Sequence, residues 1–159
     1  MEPRSAVASE LDALARLWHD TWRESHVALS PPELVSLRTL DSFRERLGTY
    51  EGIVVAGPVG APLGFYVLRD DELYQFFLAR ESRGSGLAGR LLADAEKQLV
   101  ARGVDTAWLA CAIGNDRAAR FYEKSGWRRT GAIVNPAETS RGPFPDKVWR
   151  YEKRLRPAI

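Results

Sequence analysis

The stretch Arg83-Gly84-Ser85-Gly86-Leu87-Ala88-Gly89 sets a permanent cation and three glycines at the start of a helical apolar pattern. That order can hold an anion. Backbone N–H groups in the first turn of a helix have no intrahelical acceptor, and the helix dipole adds positive potential at the same point. Glycine at 84 and 86 frees the backbone to approach phosphate oxygens closely, while small Ala88 and Gly89 keep clear of them. The loop suits a pyrophosphate. Gly84, Gly86 and Gly89 also fit the spacing of a dinucleotide fold, with Asp105 in the role of the ribose-binding acid. Asp105 precedes the next strand instead of ending it, and an antiparallel meander precedes the turn, so that fold does not fit. A turn that merely starts a helix is the plain structural alternative. Other reactive groups are sparse: two histidines and one cysteine give no metal spacing. Cys111 lies in an apolar strand with no paired histidine after it, and reads as a buried small hydrophobe.

The elements that must position the turn follow from periodicity. Ser9 with Asp12 resembles a capping box, and Leu11, Leu14, Leu17 and Trp18 predict a helix over 11–23. Pro31-Pro32 and then Asp41, read as an N-cap, give one or two short helices through Phe43 and Leu47. The runs EGIVVAG and LGFYVLRD read as a hairpin, and LYQFFLA as a third strand after the Asp70-Asp71 turn. Leu87, Leu91, Leu92, Ala95 and Leu99 make a helix stripe that ends at Arg102-Gly103. DTAWLAC is a strand, Asn115 caps a helix whose inner face carries Ala118, Phe121 and Tyr122, and Gly126 stops it. The tail reads as a strand over 127–134, a loop over 135–146 and a final strand, KVWRYEKRL.

At 159 residues and 45% hydrophobic composition the chain reads as a single domain, 1–159, long enough to bury a core. Lys+Arg 23 against Asp+Glu 21 leaves no field that selects nucleic acid or an anionic membrane. The opening residues show no basic segment before an apolar run, and one cysteine suits a reducing compartment, so cytoplasm is the expected location.

Arg83, Gly86 and Ala88 match the coenzyme A motif of the GCN5-related N-acetyltransferase superfamily, which this sequence resembles. The stretch Asn115 to Trp127, with Asn115, Ala118, Phe121, Tyr122, Gly126 and Trp127, is similar to the second signature of that family. The resemblance covers about 73–127 specifically. It implies an α/β (α+β) fold with a mixed, mainly antiparallel central sheet flanked by helices. It also implies acetyl-coenzyme A as cosubstrate, held by Arg83, Gly84, Ser85, Gly86, Leu87, Ala88 and Gly89, with Phe76, Phe77 and Leu78 offering backbone groups to the pantetheine arm. The next strand, near 109–111, is expected to splay away and admit that arm. Asn115 matches a position that can bond the arm, and can cap the helix as well.

The implied activity is transfer of an acetyl group to an amine, small molecule or protein, without a covalent enzyme intermediate and without a metal. Tyr122 matches the tyrosine set beside the sulfur, where a phenol with an ordinary pKa of about 10 can protonate the departing thiolate. The general base is open. Ala110 stands where some relatives carry glutamate, and Glu72 matches the position used by another branch, its alternative reading being a solvated residue beside a turn. Water, Tyr74 or His26 are further routes. Trp22, His26, Phe43, Tyr50 and Phe144 fall where the family contacts its acceptors, but Trp18 and Trp22, four apart, equally suit a core helix face. A non-catalytic coenzyme A-binding module is the rival function, mildly favoured by Ala110 and opposed by Tyr122. A homodimer is an analogy with the family.

Overall fold

A computed structural model describes residues 2–156 of the chain. Strands β1 (Arg4–Ser5), β2 (Val54–Ala56), β3 (Gly64–Arg69), β4 (Glu72–Leu78), β5 (Thr106–Ala112), β6 (Arg128–Ala137) and β7 (Phe144–Arg154) form one sheet. Its order is β1-β2-β3-β4-β5-β7-β6, and only β4 and β5 run parallel. Helices α1 (Leu11–His26), α2 (Pro32–Leu37) and α3 (Leu40–Thr49) precede the central strands, while α4 (Leu87–Ala101) and α5 (Asp116–Lys124) alternate with later ones. This is the mixed, mainly antiparallel sheet with flanking helices that the sequence implies. No helix among the described residues is long and apolar enough to cross a membrane.

Two apolar clusters lie on opposite faces of the sheet. On one, the whole α4 stripe, Leu87, Leu91, Leu92, Ala95 and Leu99, is buried against Tyr66, Leu73, Leu109, Cys111 and Tyr151. Each buried leucine contributes about 1.5–3 kcal/mol. On the other, Leu14, Trp18, Phe43 and Leu47 of α1 and α3 pack on Val55, Phe65 and Val67. Trp18 meets Phe43 at 4.8 Å and Phe65 at 5.5 Å, so the core reading holds for Trp18. Phe43 is fully buried with it, and is no acceptor contact in this structure.

Three local expectations need correction. The first turn is closed by Glu10 and not by Asp12: the Val7 N–H donates to Glu10 Oε2 at 2.8 Å ahead of a short 3-10 turn, and α1 then runs on to His26. Thr39, not Asp41, caps α3, its hydroxyl accepting from the Ser42 N–H at 3.1 Å. The loop expected over 135–146 shrinks to 138–143, because β6 and β7 stay paired through Pro136↔Pro145 and Ala137↔Phe144. β7 leaves β5 at Val148, so beyond that point each strand has one neighbour and a missing N–H costs no ladder bond.

The fold is pinned at its N-terminus by a buried ion pair. Arg4 donates to Glu10 through Nη1 at 2.7 Å and Nη2 at 2.9 Å, and its Nη2 also reaches the Gly57 carbonyl at 2.8 Å. Glu10 is 1% exposed, and the Arg4 hydrogen bonds hold its carboxyl below the ordinary range. Its stabilisation is therefore complete above the unfolded-state pKa and drains away as pH falls through the lower folded value. Glu10→Gln should cost about 2 kcal/mol in urea unfolding at pH 7 and draw level with wild type as acid is added. Equal stability at pH 7 would remove the pair from the account.

Candidate active site

A single extra residue opens the centre of the sheet. Along β3 and β4 the register passes from Val67↔Gln75 to Leu68↔Leu73, leaving Tyr74 without a partner. Such a bulge bends the strand that carries it. β4 meets β5 only at Glu72↔Trp108, with the Trp108 N–H donating to the Asp71 carbonyl at 3.2 Å. Beyond that point the two strands part, as expected near 109–111. The Ala79 N–H bonds the Leu63 carbonyl, and antiparallel alternation then turns the Phe77 backbone toward β3. Phe76 and Leu78 consequently present N–H and C=O groups to the gap, whereas Phe77 does not. Its side chain instead packs on Phe65, 5.9 Å away, on the α1 and α3 face.

The glycine turn lies beyond the end of β4. Gly84 and Gly86 adopt φ of 77° and 82°, left-handed values that disfavour a side chain, and Gly86 is the N-cap of α4. Among the described residues the amides of Gly84, Gly86, Ala88 and Gly89 find no protein acceptor. Ser85 is used within the turn: its N–H and hydroxyl both donate to the Ser82 carbonyl, and its Oγ accepts from the Leu87 N–H at 3.3 Å. Leu87 is buried in the core. Four free donors beside a helix start form the anion cradle that the glycine spacing suggests. Arg83 is not idle, since its Nη2 pairs with Glu24 Oε1 of α1 at 2.5 Å, and Arg117 of α5 stands 3.8 Å from the same oxygen. Glu24 went unrecognised in the sequence, where 59 residues separate it from Arg83.

Tyr122 projects from α5 into the cluster beneath the gap. Its ring meets Phe76 at 6.3 Å, Phe121 at 5.4 Å and Trp127 at 6.3 Å. Burial, and then the neighbouring Cys111, raise the phenol's pKa, so it stays protonated at any ordinary pH. Its hydroxyl makes no hydrogen bond among the described residues, yet is not among the fully sealed unpaired atoms. Cys111 is 4% exposed and burial pushes its thiol up to about 11, which fits the inert reading. Asn115 does cap α5, its Oδ1 accepting from the Ala118 N–H at 3.4 Å.

Glu72 is not the solvated turn residue of the alternative reading. It is 4% exposed at the closed end of the gap, on the face opposite Tyr122, and Arg69 Nη2 lies 3.1 Å from its Oε1. Burial raises its pKa, against the pull of Arg69. Tyr122 packs on Phe76, four positions along β4, so roughly 13 Å of strand separates the two groups. The structure does not bring them together. His26 packs between Trp22, stacked at 5.2 Å, and Phe77 at 6.2 Å, with Ser25 Oγ 2.6 Å from its Nδ1. Burial pushes its pKa down to about 4, so the ring is neutral. Tyr50 donates to Glu138 Oε1 at 2.5 Å, and Phe144 begins β7.

The sheet, its central gap and the anion cradle define an acetyltransferase fold, and comparison with known proteins agrees. The model of the Acetyltransferase (GNAT) family matches residues 11–127, and the chain belongs to that family. It is thus an acetyl-coenzyme A-dependent acyltransferase. A GCN5-related N-acetyltransferase structure from Rhodopseudomonas palustris superposes with a TM-score of 0.75 at 17% identity, covering 96% of this chain and 94% of that one. The PaiA N-acetyltransferase of Thermoplasma acidophilum in complex with coenzyme A gives 0.67 at 18%, covering 96% and 98%. The ribosomal-protein-S18-alanine N-acetyltransferase of Escherichia coli gives 0.66 at 17%, covering 99% and 96%. No curated protein matches the chain.

Gly86 offers a direct check of the cradle. A Cβ there would sit 3.3 Å from Arg90 Nη1 on a backbone at φ 82°. Gly86→Val should weaken coenzyme A binding about tenfold or more in calorimetry, at a strain of about 1–2 kcal/mol. Unchanged affinity would place the pyrophosphate elsewhere.

Proposed function

We propose that this acetyltransferase passes the acetyl group directly to an amine, with no covalent enzyme intermediate. The observation that carries the reading is the Tyr122 hydroxyl, protonated, without a hydrogen-bond partner among the described residues, and held beside Phe76 of β4 and Cys111 of β5, the two strands that border the gap. Acetyl-coenzyme A supplies an activated thioester. The amides of Gly84, Gly86, Ala88 and Gly89 hold its pyrophosphate, and the Phe76 and Leu78 backbone accompanies the pantetheine arm. A neutral amine forms the new C–N bond as the C–S bond breaks, the Tyr122 hydroxyl supplies a proton to the departing thiolate, and the surplus proton on the acylated nitrogen restores the phenol. Cys111, neutral and buried, supports transfer without a cysteine adduct.

The amine must shed a proton first. Glu72 is the buried carboxylate for this work, and its distance along β4 from Tyr122 makes a chain of ordered waters the carrier. The lone buried thiol also supports a cytoplasmic setting.

Tyr122→Phe should lower turnover on the order of 10- to 1000-fold while coenzyme A affinity is kept. The assay is amine-dependent release of free thiol across a panel of amines and peptide N-termini. Unchanged turnover where chemistry limits the rate removes Tyr122 from the acid role, and tight coenzyme A binding with no turnover on any amine favours a binding module.

Because burial raises the Glu72 pKa, a base at this position fails as pH falls through a value above the usual carboxylate range. Glu72→Gln should abolish that acidic limb of the kcat/KM profile. A limb that survives in the variant assigns the base to another group.

A further inference from the structure

On the α1 and α3 face of β4, side chains form a circuit that leaves the strand at Phe77 and returns to it at Tyr74. Phe77 packs on His26, His26 stacks on Trp22, and the Arg38 guanidinium carbon stands 5.9 Å from the Trp22 ring. Arg38 Nη1 donates to the Glu138 carbonyl, the Glu138 carboxylate accepts from Tyr50, and the Tyr50 ring meets Tyr74 at 5.8 Å. Both ends of the circuit rest on the strand that borders the gap.

Arg38 is the member left incomplete. It is 5% exposed, and burial pushes its pKa down to about 10, which still leaves it charged at neutral pH. Its Nε is buried with no acceptor, and its Nη2 has none among the described residues. Nε and Nη2 make up the side-on edge of a guanidinium, which grips a carboxylate through two parallel hydrogen bonds. Neighbouring carboxylates do not fill that edge. Arg46 Nε at 2.7 Å and Tyr50 hold Glu138, while Asp146 of β7, raised by burial and drawn down by Arg38, stays beyond ion-pair distance. Among the described residues the other buried side-chain nitrogen or oxygen without a partner, Trp18 Nε1, belongs to a ring 5.9 Å from Phe77 and 6.1 Å from Tyr50. Both orphans are donors. A buried donor left without an acceptor is costly, and the open Arg38 edge, which belongs to a guanidinium, is best met by a carboxylate.

We propose that Arg38 binds a carboxylate of the acceptor, and that the acceptor is an amine of the amino-acid class, with its carboxylate a few bonds from the nucleophilic nitrogen. The inference rests on the reading of direct transfer to an amine. Arg38 Nε and Nη2 take the two carboxylate oxygens, and the stacked Trp22 and His26 rings flank the carbon between carboxylate and nitrogen. Neutral His26 adds no competing charge there.

Thiol release measured with free amino acids, their carboxamides and the amines that lack the carboxyl group tests the assignment. Wild type should favour the acids in kcat/KM on the order of 10- to 100-fold. Arg38→Met should erase that preference, chiefly through KM, so that acids and carboxamides are used alike. Equal use of both by wild type, or a variant that slows all acceptors while keeping the preference, overturns the proposal and leaves Arg38 as a prop for the β6 and β7 turn. Calorimetry with N-acetyl amino acids and their amides, in the presence of coenzyme A, needs no turnover. Selective loss of acid binding in Arg38→Met supports the carboxylate site even where no thiol is released, in which case direct transfer alone fails. Absent or equal binding of acids and amides overturns the site and leaves transfer standing. Retained coenzyme A affinity in Arg38→Met shows that the variant is folded.

Discussion

The unpartnered Tyr74 in β4 is the constraint from which the site follows. By bending β4 it limits the one parallel contact in the sheet to Glu72↔Trp108 and strips the backbone of Phe76 and Leu78 of neighbours. Unsatisfied backbone groups inside a sheet are costly. The sheet tolerates them because each torn edge is anchored on its far side: β4 runs along β3, and β5 pairs with β7 from Thr106↔Arg154 to Ala112↔Val148. The opening is therefore framed on both sides by paired strands while its own backbone groups stay unpaired among the described residues.

Charge is distributed about that slot with a clear division. At the glycine turn, the permanent cation Arg83 is neutralised by Glu24, and the remaining positive character comes from backbone amides, which cannot titrate. Beneath the gap Tyr122 sits in an apolar cluster that keeps its proton on. On the other face Arg38, Arg46, Glu138, Asp146 and Glu72 are gathered with aromatic rings; burial lowers the Arg38 pKa and raises those of Glu72 and Asp146, while hydrogen bonds from Tyr50 and Arg46 hold Glu138 below its ordinary range against burial. The buried phenol and the polar, charged cluster thus lie on opposite faces of one sheet, with the opening between β4 and β5 beside both.

Legibility in the sequence tracked the range of the interaction. The α4 stripe, the glycine turn before it and the strands from β2 to β7 are local patterns that read from spacing, while β1, two residues long, leaves no such pattern. The splay of β4 from β5 came from family resemblance, since no single residue type marks a bulge at Tyr74. The capping residues were misassigned by two positions, Thr39 standing where Asp41 was expected and Glu10 where Asp12 was, while α1 begins at Leu11 as its spacing predicts. The prolines suggested a long loop because propensity assumes a strand with two neighbours, while β6 and β7 at Pro136 and Pro145 have only each other. The Arg38 circuit was invisible: Arg38 meets the Glu138 carbonyl across 100 residues, and Arg46 meets its carboxylate across 92. Nothing in either segment announces the other.

The paired prolines have a use beyond ending a hairpin. β6 forms one border of the sheet, and a long border with free N–H groups invites a strand from another molecule. Pro136 has no N–H to give, Gly131 breaks the register lower down, and Arg128 and Arg129 put charge at the start of the strand. The opposite border, β1, is two residues long. Both margins are therefore poor templates for the addition of a further strand.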